Sequence, residues 1–121
     1  MSLDWNRGEL AEGLACYRRR EFFEAHEHWE SVWLCLEEPE KSFVQAVIQM
    51  TAAFHHLQKG NFVGAASLLR RTARRLETCP ASFGGIAVVP LCSEIRRWIQ
   101  ALERGKPGQP HEFPKITLEI E

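Results

Sequence analysis

Residues 21–36 read EFFEAHEHWESVWLCL and carry the clearest helical pattern of the chain. Six of its side chains fall at positions i, i+3, i+4, i+7, i+11 and i+14, the spacing that lines one face of an α-helix. The stripe consists of Phe22, Ala25, His26, Trp29, Trp33 and Leu36. Pro39 follows shortly afterwards, and proline cannot continue a helix. The spacing therefore predicts an amphipathic helix over residues 21–36.

The surrounding sequence indicates further helices separated by proline and glycine. We predict helices over about residues 4–19, 21–36, 40–59, 62–76 and 90–104, with a loop over residues 78–89. Asp4 is placed to cap the first helix, and Pro90 suits the first turn of the last. Gly60 and Asn61 form a turn, so the third and fourth helices should make an antiparallel hairpin. Phe62 is expected on the inner side of the fourth helix.

Residues 106–121 read as an extended tail. Ile116, Leu118 and Ile120 alternate with polar residues, the period of a β-strand. A lone strand has no partner among predicted helices, so we expect the tail to pack on the helices or to pair across a dimer. The predicted fold class is all-α: a compact bundle of about five helices with an extended C-terminal tail, formed by residues 1–121 as a single domain.

Composition narrows the class of protein. The chain has 121 residues, of which 45% are hydrophobic and 26% charged, as in an ordinary globular domain. Its formal net charge of -1 makes nucleic-acid binding improbable, since such domains carry a basic excess. No stretch is apolar enough for a membrane span, and residues 1–5 do not resemble a secretory signal. We expect a cytoplasmic protein without a membrane partner.

Several polar residues fall among the apolar ones and form the candidate site. On the second helix, His26 and Glu30 are one turn apart, so that the carboxylate can orient the imidazole. On the third helix, Gln45, Gln49 and His56 form a polar line. This line is either the one wet edge of the helix or faces inward toward His26 and Glu30. Periodicity leaves both arrangements open.

If the line faces inward, two interpretations follow. Two imidazoles and a carboxylate from His26, Glu30 and His56 would suit a divalent metal, the candidate cofactor, or another small ligand. Glu27 could then act as a supporting or acid–base carboxylate. The same residues could instead form a buried hydrogen-bond network that fixes helix register, and this simpler interpretation is favoured.

Charge is distributed unevenly along the chain. Residues 21–40 contain seven glutamates and no Lys or Arg, whereas residues 41–76 contain six Lys and Arg and no acid. The fourth helix carries a stripe of four arginines: Arg70, Arg71, Arg74 and Arg75. Pairing of this stripe with the glutamates of residues 21–40 within the chain is the simplest explanation. The stripe could instead bind phosphate or an acidic protein partner.

The motif around His26 resembles a known family. Residues 22–30 read FFEAHEHWE, with Trp33 downstream, and residues 56–61 read HLQKGN. This pattern resembles the small bacterial and archaeal proteins grouped as domain of unknown function 309. The resemblance implies an all-α bundle with an extended C-terminal tail and no established activity. The matching positions are Glu24, His26, Glu27, Glu30, Trp33, Gln49 and His56.

Two functions from different classes remain. The favoured one is a non-enzymatic helical module that binds a protein partner, or forms a homodimer, through the arginine stripe or an exposed aromatic groove. The alternative is a metal- or small-ligand-dependent enzyme centred on His26, Glu30 and His56. The first is favoured because the sequence contains no G-x-S-x-G motif and no glycine-rich phosphate loop.

Overall fold

The computed structural model describes residues 3–105 and 112–119, and this part of the chain is an all-α bundle with one small hairpin. Its helices and strands are α1 (Gly8–Arg18), α2 (Phe22–Trp33), α3 (Glu40–Gln58), α4 (Phe62–Glu77), β1 (Ser82–Phe83), β2 (Ile86–Ala87) and α5 (Val88–Glu103). The predicted fold class is confirmed, with five helices in the described residues. None of these helices is both long and apolar enough to cross a membrane.

Helix α3 is central, and it packs against α2 on one side and α4 on the other. The ring of Phe23 in α2 lies 5.6 Å from that of His55 near the end of α3, and Lys41 at its start lies over the ring of Trp33. These contacts make α2 antiparallel to α3. The hydroxyl of Thr72 donates to the carbonyl of Ala46, so α4 is antiparallel to α3 as well.

The core is aromatic, and the stripe of α2 supplies much of it. Phe22 and Trp29 are buried against Phe54 of α3 and Tyr17 of α1. Burying a side chain of this size contributes roughly 1.5–3 kcal/mol. Helix α1 approaches closely at Gly13, where an added methyl would lie 2.7 Å from Cε2 of Trp29. Glycine is therefore required at that helix contact.

Three details of the helices differ from the sequence predictions. Helix α1 begins at Gly8 rather than near Asp4, whose carboxylate accepts a hydrogen bond from the backbone of Asn6 in the preceding turn. Helix α2 ends at Trp33 rather than at residue 36. Phe62 is 50% exposed instead of internal, because it stands at the first position of α4, beyond the packed part of the helix.

The tail has a partner within the chain, contrary to the prediction that a strand there would lack one. The segment predicted as a loop contains the β1–β2 hairpin, and Leu118 forms an antiparallel bridge with Ile86. The backbone N–H of Ala87 donates to the carbonyl of Thr117 at 3.1 Å. The tail also packs on the helices, since the ring of Phe113 contacts those of three core residues. These are Phe22, Phe54 and Trp98.

Candidate functional site

The polar line of α3, which consists of Gln45, Gln49 and His56, lies on the side of the helix nearest to solvent. Its half-buried positions include Lys41, Gln45, Gln49, Ala52 and His56, which recur at the spacing of one helical stripe. The opposite face, with residues 43, 47, 50 and 54, is fully buried in the core. The prediction of a buried His, Glu and Gln cluster is therefore wrong. A position at the protein surface is favoured physically, because the amide of Gln45 and the imidazole of His56 stay partly accessible to water.

His26 and Glu30 form a pair at the protein surface. Nε2 of His26 lies 3.4 Å from Oε2 of Glu30, and the two side chains are 32% and 53% exposed. Exposed pairs of this kind contribute at most about 1 kcal/mol. Glu27, predicted as a supporting carboxylate, is exposed and has no side-chain hydrogen bond or ion pair among the described residues.

His56 belongs to a different local unit. Its Nδ1 lies 3.1 Å from Nδ2 of Asn61, whose Oδ1 accepts a hydrogen bond from the N–H of Gly64 and so caps α4. The neighbouring His55 lies beside Phe23 of α2 instead, and partial burial, together with Lys59 and His56, lowers the pKa of His55. No three His, Cys, Asp or Glu side chains in residues 3–105 and 112–119 are grouped so as to hold a metal ion. His26, Glu30 and His56 therefore do not assemble as a metal centre.

A cavity of about 710 Å³ lies where the start of α3 meets the end of α4, and we call it the arginine cavity. Its lining consists of Glu38, Pro39, Ser42, Phe43, Gln49, Arg71, Arg74, Arg75, Thr78, Cys79, Pro80 and Phe83. Three of the four stripe arginines and one glutamine of the polar line thus share one site. The volume lies within the range of about 300–1,000 Å³ typical of small-ligand sites.

The arginines of the cavity lack the intramolecular partners predicted for them. Arg70 pairs with Glu103 of α5 at 2.9 Å and points away from the cavity. Arg71, Arg74 and Arg75 have no carboxylate within 4.0 Å among the described residues. The ion pairs predicted between the stripe and the glutamates of residues 21–40 are therefore not formed within 4.0 Å among the described residues. Helix α3 separates α4 from the glutamates of α2, and Glu38, which shares the cavity, acts on Arg75 only over a longer distance.

One carboxylate, that of Glu38, stands at the edge of the cavity. The backbone N–H of Ser42 donates to its Oε1 at 3.0 Å. Hydrogen bonds from the side chain and backbone of Ser42 lower the pKa of Glu38, with smaller contributions from Lys41 and Arg75. Glu38 is thus ionised at neutral pH, and three guanidinium groups with one carboxylate leave the cavity with two positive charges.

Gln49 gives the cavity a second polar feature. Its Oε1 is buried and has no hydrogen-bond partner among the described residues. An acceptor buried without a donor costs about 1–3 kcal/mol. Sequence reasoning identified Gln49 and the arginines separately but missed their proximity. One feature of the sequence could have indicated this proximity: Ser42 and Gln49 lie two turns apart on α3 and so face the same neighbouring helix.

A larger cavity of about 1340 Å³ lies beneath the tail, next to the hairpin. Two of its polar side chains donate hydrogen bonds to backbone carbonyls. The hydroxyl of Tyr17 donates to the carbonyl of Pro114 at 2.6 Å, and the indole of Trp5 donates to the carbonyl of Gly84 at 2.8 Å. These bonds hold the tail and the hairpin in place, and they give the cavity a structural role.

Comparison with known proteins gives a family and one relative. A family model described as "Domain of unknown function (DUF309)" matches residues 10–68. An uncharacterized protein of Aquifex aeolicus (strain VF5) is 26% identical over 101 residues, which cover 83% of this chain. The chain spans 30% of the length of that curated relative. The matched residues 10–68 include the polar line of α3 and end just before the arginine stripe.

Proposed function

We propose that the chain, whose residues 10–68 match the domain of unknown function 309 model, is a non-enzymatic module that binds an acidic segment of a partner protein in the arginine cavity. The proposal rests chiefly on Arg71, Arg74 and Arg75. They converge on one cavity and have no carboxylate within 4.0 Å among the described residues.

Arginine suits the recognition of carboxylates. The guanidinium group is planar, stays charged at every physiological pH and can donate two parallel hydrogen bonds to one carboxylate. Two such groups on the ligand would balance the two positive charges of the cavity. A peptide with two acidic side chains therefore matches its electrostatics.

Gln49 and the cavity walls favour a peptide over a simple inorganic anion. The unpartnered Oε1 of Gln49 needs a donor, and the backbone N–H groups of a peptide provide donors close to its acidic side chains. Phe83 and Pro80 add apolar wall, which contacts the carbon atoms of a peptide and which a free phosphate would leave uncovered.

The alternative enzyme centred on His26, Glu30 and His56 has no comparable support. His26 is paired with Glu30 at the surface, and His56 is engaged with Asn61 at the cap of α4. No cavity combines these three side chains among the ones described.

A labelled peptide tests the proposed function. The probe is a short fluorescein-labelled peptide with two adjacent glutamates beside a leucine. The negative control is the same peptide with both glutamates replaced by glutamines. We expect fluorescence anisotropy to show binding of the acidic peptide only. The double variant Arg71→Gln with Arg75→Gln should weaken binding at least about tenfold and flatten its salt dependence.

The matched control removes the same charge elsewhere. Arg97 and Arg104 are exposed on or just after α5, outside the arginine cavity, so Arg97→Gln with Arg104→Gln should bind the peptide like the parent protein. Equal weakening by both double variants would mean that net charge, rather than the cavity, attracts the peptide. The absence of binding by the parent protein would refute the proposed function.

A further inference from the structure

We propose that the acidic partner is a second copy of this chain, which places its α2 over the α4 of the first in a symmetric dimer. This inference rests on the proposed function, because it names the partner of the arginine-bearing surface. It follows from an exposed face made by α2, α3 and α4, here called the three-helix face, and from the arrangement of charge across it.

One border of the three-helix face is acidic. Phe23, Glu27, Glu30 and Leu34 follow one another along α2 at intervals of four, three and four residues, and thus share one side. Phe23 is 49% and Leu34 is 66% exposed, which is unusual for large apolar side chains. Glu37 lies just beyond them and is also exposed. The contact of Phe23 with His55 shows that this side of α2 adjoins α3.

The other border is basic. Arg71 and Arg75 are one turn apart on α4, and they share the arginine cavity with Ser42 and Gln49 of α3. Arg70 instead reaches α5. The side of α4 that carries Arg71 and Arg75 therefore adjoins α3. An acidic helix and a basic helix thus flank one central helix.

The floor between the two borders carries no charge. Residues 42–58 of α3 include no Asp, Glu, Lys or Arg. Its half-buried positions near the middle are Gln45, Gln49 and Ala52, which are uncharged, and alanine allows a second helix to approach closely. Covering uncharged side chains costs less solvation free energy than covering charged ones.

Symmetry then selects one arrangement. A two-fold axis parallel to α3 would pack α3 of one copy against α3 of the other. It would also pack α2 of each copy against α4 of the other, so that glutamates meet arginines at two equivalent contacts. An axis across α3 would place acid on acid and arginine on arginine. Charge complementarity favours the first arrangement, in which every contact occurs twice.

The heights of the charged residues along α3 agree with this arrangement. Glu30 lies between Phe23, which contacts His55, and Trp33, which Lys41 covers, so its level falls between those of Val44 and Ile48 of α3. Thr72 bonds to Ala46, so Arg71 lies near the level of Val47, within that range. The two-fold axis would therefore bring Glu30 of one copy close to Arg71 of its partner. Both Glu37 and Arg75 lie further toward the start of α3, Arg75 near the level of Phe43 and Glu37 about one turn before the helix begins.

Charge reversal tests the dimer. One variant carries Arg71→Glu and Arg75→Glu, a second carries Glu30→Lys and Glu37→Lys, and a third carries all four changes. Sedimentation equilibrium should show a dimer for the parent protein. Each double variant should be monomeric, with a dissociation constant raised at least about 100-fold by like-charge contacts.

Restoration makes the test specific to these surfaces. An equimolar mixture of the two double variants should form a heterodimer, because acidic side chains again face basic ones at both contacts. The variant with all four changes should form a homodimer for the same reason. Circular dichroism checks that each variant is folded. If a reversed variant is unfolded, the pairs Arg71→Gln with Arg75→Gln and Glu30→Gln with Glu37→Gln replace it and should each weaken the dimer.

The outcomes separate this inference from the proposed function. A parent protein that binds the acidic peptide but remains monomeric at all concentrations overturns the dimer and leaves the peptide site standing. A dimer that survives both double reversals also overturns it. A dimer that is lost and restored as described, in a protein that binds no acidic peptide, supports the inference and shows that this surface takes a second copy and not a free peptide.

Discussion

Replacement of Gln49 by methionine should make the protein more stable and weaken the proposed binding. Methionine has nearly the same length and volume but no polar atom that must be paired. Because Oε1 of Gln49 is buried without a donor, its removal relieves a penalty of about 1–3 kcal/mol. Loss of the amide also removes the acceptor offered to a bound peptide. Stability and binding should therefore change in opposite directions.

The expected gain can be measured by urea unfolding followed by tryptophan fluorescence. For a domain of this size, an increase of 1 kcal/mol in the free energy of unfolding corresponds to a rise of about 3–6 °C in Tm. Gln45→Met is the matched control, since Gln45 lies one turn earlier on the same helix and has no buried unpaired atom. It should change the free energy of unfolding by less than about 0.5 kcal/mol.

Two results would refute the reasoning. If Gln49→Met lowers the free energy of unfolding, the amide has a partner that stabilises the folded protein. If it raises stability but the acidic peptide binds as before, the amide oxygen does not contribute to the ligand site. If Gln49→Met and Gln45→Met raise the free energy of unfolding equally, the effect comes from added apolar surface on α3.

Three further predictions concern stability. Gly13→Ala should lower the free energy of unfolding by about 1–3 kcal/mol in a denaturant titration, because the new methyl overlaps the buried ring of Trp29; an unchanged midpoint would contradict that contact. Asn61→Ala should cost about 1 kcal/mol through loss of the α4 cap to Gly64, with the helical circular dichroism signal as the readout and Asn61→Asp as the control that retains an acceptor. The third concerns pH. The pKa of His55 is lower in the folded protein than its ordinary value near 6.5, so the unfolded chain binds the proton more readily. The free energy of unfolding should therefore fall as the pH drops from about 7 to about 5. This pH dependence should be weaker in His55→Gln, and an identical slope would contradict it.

The fold was largely predictable because helix formation depends on local spacing. The stripe of Phe22, Ala25 and Trp29 defines α2 in the sequence, and the same residues are fully buried in the core. Gly60 and Asn61 mark the α3–α4 turn by residue type alone. Helix ends were less predictable, as Asp4 shows, because several residues near an end can satisfy its free N–H groups.

The candidate site was only partly predictable. Periodicity identified Gln49 as polar and Arg71 as part of a charged stripe, but it could not say which side of α3 faces water. That depends on where α2 and α4 pack, which involves contacts between residues far apart in the chain. The sequence likewise suggested that Arg71 pairs with glutamates of residues 21–40, whereas the intervening α3 prevents it.

The sequence by itself determined the helices, their order and the segregation of acidic and basic residues, since each depends on neighbours within a few positions. The tertiary structure alone decided that Leu118 pairs with Ile86, that His56 turns to Asn61, and that three arginines and Gln49 meet in one cavity. The physical reason is that side chains distant in sequence meet only where packing of the core brings their helices together, and local periodicity does not specify that packing.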